Sequence, residues 1–220
     1  MHIHRRALRT AALTAAVVTT TIGLVAVGSA QAAPEGAPAD ASRRAAAAPA
    51  FLAPDELPAH PSSAWYAEEP AAGLPEFPVF CLEDALPAEG ASHRQFWTEF
   101  DTSAVQVSVR TATLKSARAL AAEAEESVRA CAAAYEEQYP GAEAELVDYG
   151  RVDVQEGAHV YGVDTADPDG TGTSDAHLFG IGRDGRTVTV VDWGQMGNLS
   201  HAPVDDFRTT TRTAVEKLRS

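Results

Sequence analysis

The runs His177-Leu178-Phe179-Gly180-Ile181-Gly182-Arg183 and Arg186-Thr187-Val188-Thr189-Val190-Val191-Asp192-Trp193 flank Asp184-Gly185. Two β-prone runs separated by two residues read as a hairpin, and Asp-Gly supplies the positive φ angles of a type I′ turn. Val188, Val190 and Val191 suit its second arm. Upstream, residues 146–154 and 159–165 are also β-like and are split by Glu156-Gly157. Residues 167–174 read as a Gly/Asp/Thr loop. Strands joined by such short connections pair antiparallel.

Further out, Val105, Val107 and Val109 alternate with Gln106, Ser108 and Arg110, which predicts a half-buried strand over about 99–111. A helix follows, with Ser116 as a candidate N-cap and Tyr139-Pro140-Gly141 as the stop. Its apolar residues Ala117, Leu120, Ala121, Ala124, Val128, Cys131, Ala132, Tyr135 and Tyr139 step by three and four, making one continuous stripe. Such a helix is about 36 Å long, enough to span a small sheet. Pro203 and Asp205 introduce a last helix over 205–219, with Phe207, Ala214, Val215 and Leu218 inward. The element order β-α-β-β-β-β-α predicts an α+β fold, an antiparallel sheet with two helices packed on one face.

The segment 51–90 is Pro-rich and carries Trp65, Tyr66, Phe77 and Phe80. It reads as extended chain with aromatic pegs, laid across a core built by other residues. A disordered linker is the alternative reading, though linkers usually carry fewer aromatics. Before it, Arg5, Arg6 and Arg9 precede an uncharged stretch over 11–28, followed by Ala30-Gln31-Ala32. That is the pattern of a secretory signal peptide over 1–32, cut after Ala32. An uncleaved anchor is the alternative, and Arg5-Arg6 also raises the twin-arginine route. Residues 33–50 lack any large apolar side chain and read as a disordered Ala/Pro leader, leaving one domain over 51–220.

The 220 residues carry a formal charge of −14, and removal of 1–32 takes three arginines and no acid, giving −17. So acidic a chain is a poor partner for nucleic acid or an anionic membrane surface. No stable membrane insertion is expected once the signal is cleaved. The two cysteines cannot build a thiolate zinc site or an iron–sulfur cage alone. In an exported chain, Cys81 and Cys131 most simply form one disulfide; free buried thiols or a reactive nucleophile are the alternatives.

No Gly-x-Ser-x-Gly, Ser-x-x-Lys or His-Glu-x-x-His motif occurs, and no cofactor is expected. His60, His93, His159, His177 and His201 show no metal-ligand spacing and read as surface or capping residues. Thr165 to Thr171 resembles half of a calcium loop, in which Asp167, Asp169 and Asp175 could supply oxygens. Thr165 at the first ligand position and Ala176 at the last argue for a plain hydrophilic turn instead. Trp193-Gly194-Gln195-Met196-Gly197, just past a strand end, suits a pocket wall of indole, amide and thioether. The competing reading is that Trp193 plugs the core while the glycines turn the chain. Trp65 and Tyr66 are the further candidates for closing over the same sheet.

Phe51-Leu52, Glu56-Leu57-Pro58, the Cys81 to Cys131 spacing, residues 177–183, the following Thr187 to Val191 and the closing helix together resemble actinobacterial secreted sensor-type domains. These are similar to the PknH-like extracellular domain of receptor Ser/Thr kinases. The resemblance covers about 51–220 and implies an antiparallel sheet backed by helices, with a cleft for a small ligand. Members often carry two disulfides, whereas this chain has cysteines for one. No catalytic residues carry over. The expected function is a secreted, non-enzymatic, sensor-like domain for a small-molecule or cell-envelope ligand. The alternatives are a secreted hydrolase built from distant acids and histidines, or a surface-acting inhibitor or structural protein.

Overall fold

Adjacent residues of a strand point to opposite faces of a sheet. Val190 and Val191 are both buried, as are Leu178 and Phe179, so the sheet is covered on both sides. The structure, a computed structural model, describes residues 49–167 and 174–219. The signal-peptide reading, nearly all of the leader and Asp169 lie outside the described residues.

The elements run β1 (Tyr66–Ala67), β2 (Ala71–Ala72), β3 (Ala91–Trp97), β4 (Ser103–Arg110), α1 (Leu114–Gln138), β5 (Glu143–Val152), β6 (Ala158–Ala166), β7 (Ser174–Asp184), β8 (Thr187–Met196) and α2 (Val204–Glu216). The eight strands form one sheet in the order β1-β3-β4-β8-β7-β6-β5, with β2 also on the outer edge of β3. Every pairing is antiparallel. The fold is thus α+β, with two helices against an antiparallel sheet.

The helices do not share a face. The stripe of α1 packs with Val107, Val109, Tyr161, Phe179, Ile181 and Val190. Phe207, Ala214 and Val215 of α2 pack with Val160, Leu178, Val191 and Trp193 on the other side. A Cβ at Gly180 would meet Thr211 at 2.2 Å, and one at Gly182 would meet Val215 at 2.4 Å, so glycines let α2 approach the sheet closely. The expectation of one covered face fails because the central strands are apolar on consecutive residues, the mark of burial on both sides.

Local chemistry shifts other boundaries. Asp184 pairs with Thr187, so the hairpin's central residues are Gly185 and Arg186. Gly185 has φ +56 and Arg186 is not positive, which is the type II′ pattern in place of the expected type I′. Thr113, not Ser116, caps α1: its side chain accepts the Ser116 backbone N–H. The strand expected over 99–111 is β4, and β3 before it was not expected, because it contains no β-branched residue.

The Pro-rich segment is ordered and wraps around the β3 edge. Leu52 and Leu57 are buried on the α2 face. β1 and β2 then pair with β3, and Val79, Leu82 and Leu86 are buried on the α1 face. Cys81 is bonded to Cys131, with Cα atoms 5.4 Å apart, which ties the segment to α1. At its start, Leu52 N–H donates to the buried Gln106 Oε1, and Arg94 donates to Leu52 O. Of the expected aromatic pegs, Trp65 and Phe80 are half-buried, while Tyr66 and Phe77 are exposed. Among the described residues, no helix is long and apolar enough to cross a membrane.

Candidate functional site

The end of β8 faces two clefts at once. Trp193 and Gln195 point to the α2 face, and Asp192 and Gly194 to the α1 face.

On the α2 face, a cleft of about 240 Å³ is lined by Pro58, Pro61, Trp65, Trp193, Gln195 and His201, among others. Trp65 is fixed there because its indole N–H donates to Pro58 O at 2.7 Å. Trp193 is only 3% exposed and belongs to the α2-face core, yet it also borders the cleft. Its buried indole N–H finds no acceptor among the described residues. A buried donor without a partner costs about 1–3 kcal/mol, so such groups call for an explanation.

Three of the five pocket residues singled out in the sequence, Trp65, Trp193 and Gln195, therefore meet. The other two do not join them. Tyr66 stacks on Trp97 on the opposite face, with its hydroxyl donating to Glu99. Met196 is exposed, and its backbone N–H donates to Asp101. Thr165 pairs with Asp175 between β6 and β7, so both ends of the calcium-like segment lie in strands. Among the described residues, no group of three or more His, Cys, Asp or Glu side chains is placed to hold a metal.

On the α1 face, a cleft of about 400 Å³ has His177 and Asp192 on its floor. His177 Nδ1 lies 2.9 Å from Asp192 Oδ1, and the two side chains are 22% and 10% exposed. A carboxylate only accepts, so Nδ1 carries the proton. Burial opposes the imidazolium, but the charge and hydrogen bond of Asp192, with the charge of Asp175, outweigh it; the pKa of His177 is raised. Phe80 and Phe179 contact the ring at 4.6 and 5.9 Å. Gly194 makes room for it, since a Cβ there would lie 2.9 Å from His177 Cε1. Ser103 pairs with Gly194 from the other side, and no hydrogen bond joins it to His177.

His177, read from the sequence as a surface or capping residue, is half-buried at the cleft and bonded to Asp192. The pair spans 15 residues and meets only through the β7–β8 register, in which His177 faces Gly194 and Phe179 faces Asp192. No motif spacing marks the pair, but the Asp184-Gly185 hairpin read from the sequence already sets His177 opposite Asp192. Comparison with family models, curated proteins and solved structures finds no match.

Proposed function

We propose that this chain is a non-enzymatic, sensor-like binding domain for a small ligand, held in the cleft between Trp65, Trp193 and Gln195. The observation that carries this reading is the orphaned indole N–H of Trp193 beside a formed cleft. A planar ligand would lie against the Trp65 ring and the prolines and be oriented by the Gln195 amide; the indole N–H is closed to solvent, so a carbonyl of the ligand reaches it once the Trp193 ring turns toward the cleft. The disulfide and the signal-like first 32 residues support a place of action outside the cytoplasm.

Native mass spectrometry of mildly purified protein tests the reading. The wild-type protein is expected to carry a small-molecule adduct, and Gln195→Ala to lose it while melting at the temperature of ligand-stripped wild type. An adduct retained equally by Gln195→Ala and Trp193→Phe would remove this cleft from the function.

A further inference from the structure

We propose that the α1-face cleft over His177 and Asp192 is a second binding site, for a neutral pyranose sugar stacked on Trp97 and Phe77. It lies across the sheet from the Trp193 cleft and does not depend on it.

The floor is a mixed set of donors and acceptors. One Asp192 oxygen is held by His177. Among the described residues, no hydrogen bond engages His177 Nε2, the Gln95 amide or the Ser103 hydroxyl, and all three side chains line the cleft. Sugar hydroxyls both donate and accept, so a ring can satisfy the Asp192 and Gln95 oxygens, the Gln95 N–H groups and His177 Nε2, which accepts in the neutral ring and donates in the imidazolium.

The rim is aromatic and open. Phe77 is 78% and Trp97 43% exposed, and Tyr66 stacks behind Trp97 at 6.2 Å. Exposed aromatics gathered at a cleft mouth mark an interaction site, and they offer a flat apolar surface to the C–H face of a pyranose. The cleft volume of about 400 Å³ falls within the range of small-molecule sites.

Other ligand classes fit less well. An anion would meet the Asp192 carboxylate on a chain of charge −14. A cation would meet a histidine that Asp192 and Asp175 favour as imidazolium. A wholly apolar ligand would strip water from Asp192 and replace none of its hydrogen bonds.

The test is titration of the full chain with cellobiose, N,N′-diacetylchitobiose and maltose by calorimetry, with glucuronate as the anionic control. At least one neutral saccharide is expected to bind more tightly than glucuronate. Trp97→Ala is expected to weaken that binding about tenfold, and Trp97→Phe to restore most of it. Trp193→Phe should leave it unchanged, which separates this site from the cleft on the other face. Trp97 is exposed enough for its alanine variant to fold, and an unchanged melting curve checks that. Sedimentation with chitin or cellulose distinguishes a polymer from a free sugar as the source, and either supports the site. Absence of saccharide binding, preference for glucuronate, or indifference to both Trp97→Ala and Phe77→Ala would overturn the proposal. So would cleavage of a chromogenic ester or glycoside that Ser103→Ala abolishes, because the floor would then be catalytic.

Discussion

His177 and Asp192 form a coupled titratable pair on the sheet's α1 face, and their linkage has a definite sign. The folded pKa of His177 is raised above the unfolded value of about 6.5. Its stabilising contribution is therefore fully present below that pH and is lost as pH rises through the folded pKa. Asp192→Asn removes the larger of the two charges that raise it, leaving a half-buried imidazole whose protonation burial opposes. The melting-temperature gap between wild type and Asp192→Asn is expected to be wider near pH 5.5 than near pH 8.5. A gap that is equal at both, or wider at high pH, would contradict the assignment. This pair was legible through the hairpin and through no motif. An Asp184-Gly185 turn pairs Arg183 with Arg186 and therefore sets His177 directly opposite Asp192, whereas the structure pairs Arg183 with Val188. The shift is even, so both side chains keep their face and meet as diagonal neighbours. By contrast, Trp193 and Gln195 stood out in the sequence because glycines frame them at a strand end.

At the scale of elements, the central question is which face each helix covers. Consecutive apolar residues at 178–179 and 190–191 carried the signal for burial on both faces, and a helix stripe alone does not say which face it meets. Gly180→Ala tests the placement of α2. The added methyl runs into Thr211, and overpacking of this kind costs about 1–3 kcal/mol. Urea denaturation should show that loss; an unchanged midpoint would mean α2 does not sit over Gly180. Strand β3 was hidden because His93, Arg94 and Gln95 mimic a loop, although its pairing with β4 fixes it in the sheet. The 81–131 disulfide closes a separation of 50 residues, which in the chain-entropy model stabilises by about 4 kcal/mol. Cys131→Ser should lose roughly that amount, and limited proteolysis should then cut first near 79–86, where the wrapped segment rests on α1. Loss of stability without new cleavage there would show that the bond does not hold this segment in place.

Across the whole molecule, one strand end serves both faces. Asp192 and Gly194 open on one side, Trp193 and Gln195 on the other, and the wrapped segment supplies a wall to each cleft: Pro58 and Trp65 to one, Phe77 and Pro78 to the other. Lys217 pairs with Glu56 at 2.7 Å and Thr210 donates to Glu56 O, so α2 anchors the start of that segment while the disulfide anchors its end. The walls are therefore held from both helices, which favours clefts already shaped before a ligand arrives. The most direct measurement is a parallel thermal-shift screen of wild type and Trp193→Phe against metabolites and cell-envelope fragments. Trp193→Phe retains an aromatic side chain in the core and removes the unpartnered N–H. At least one compound is expected to raise the melting temperature of the wild type and fail to raise that of the variant. A library in which no compound shifts the wild type, or in which both proteins shift alike, would contradict a ligand site at Trp193.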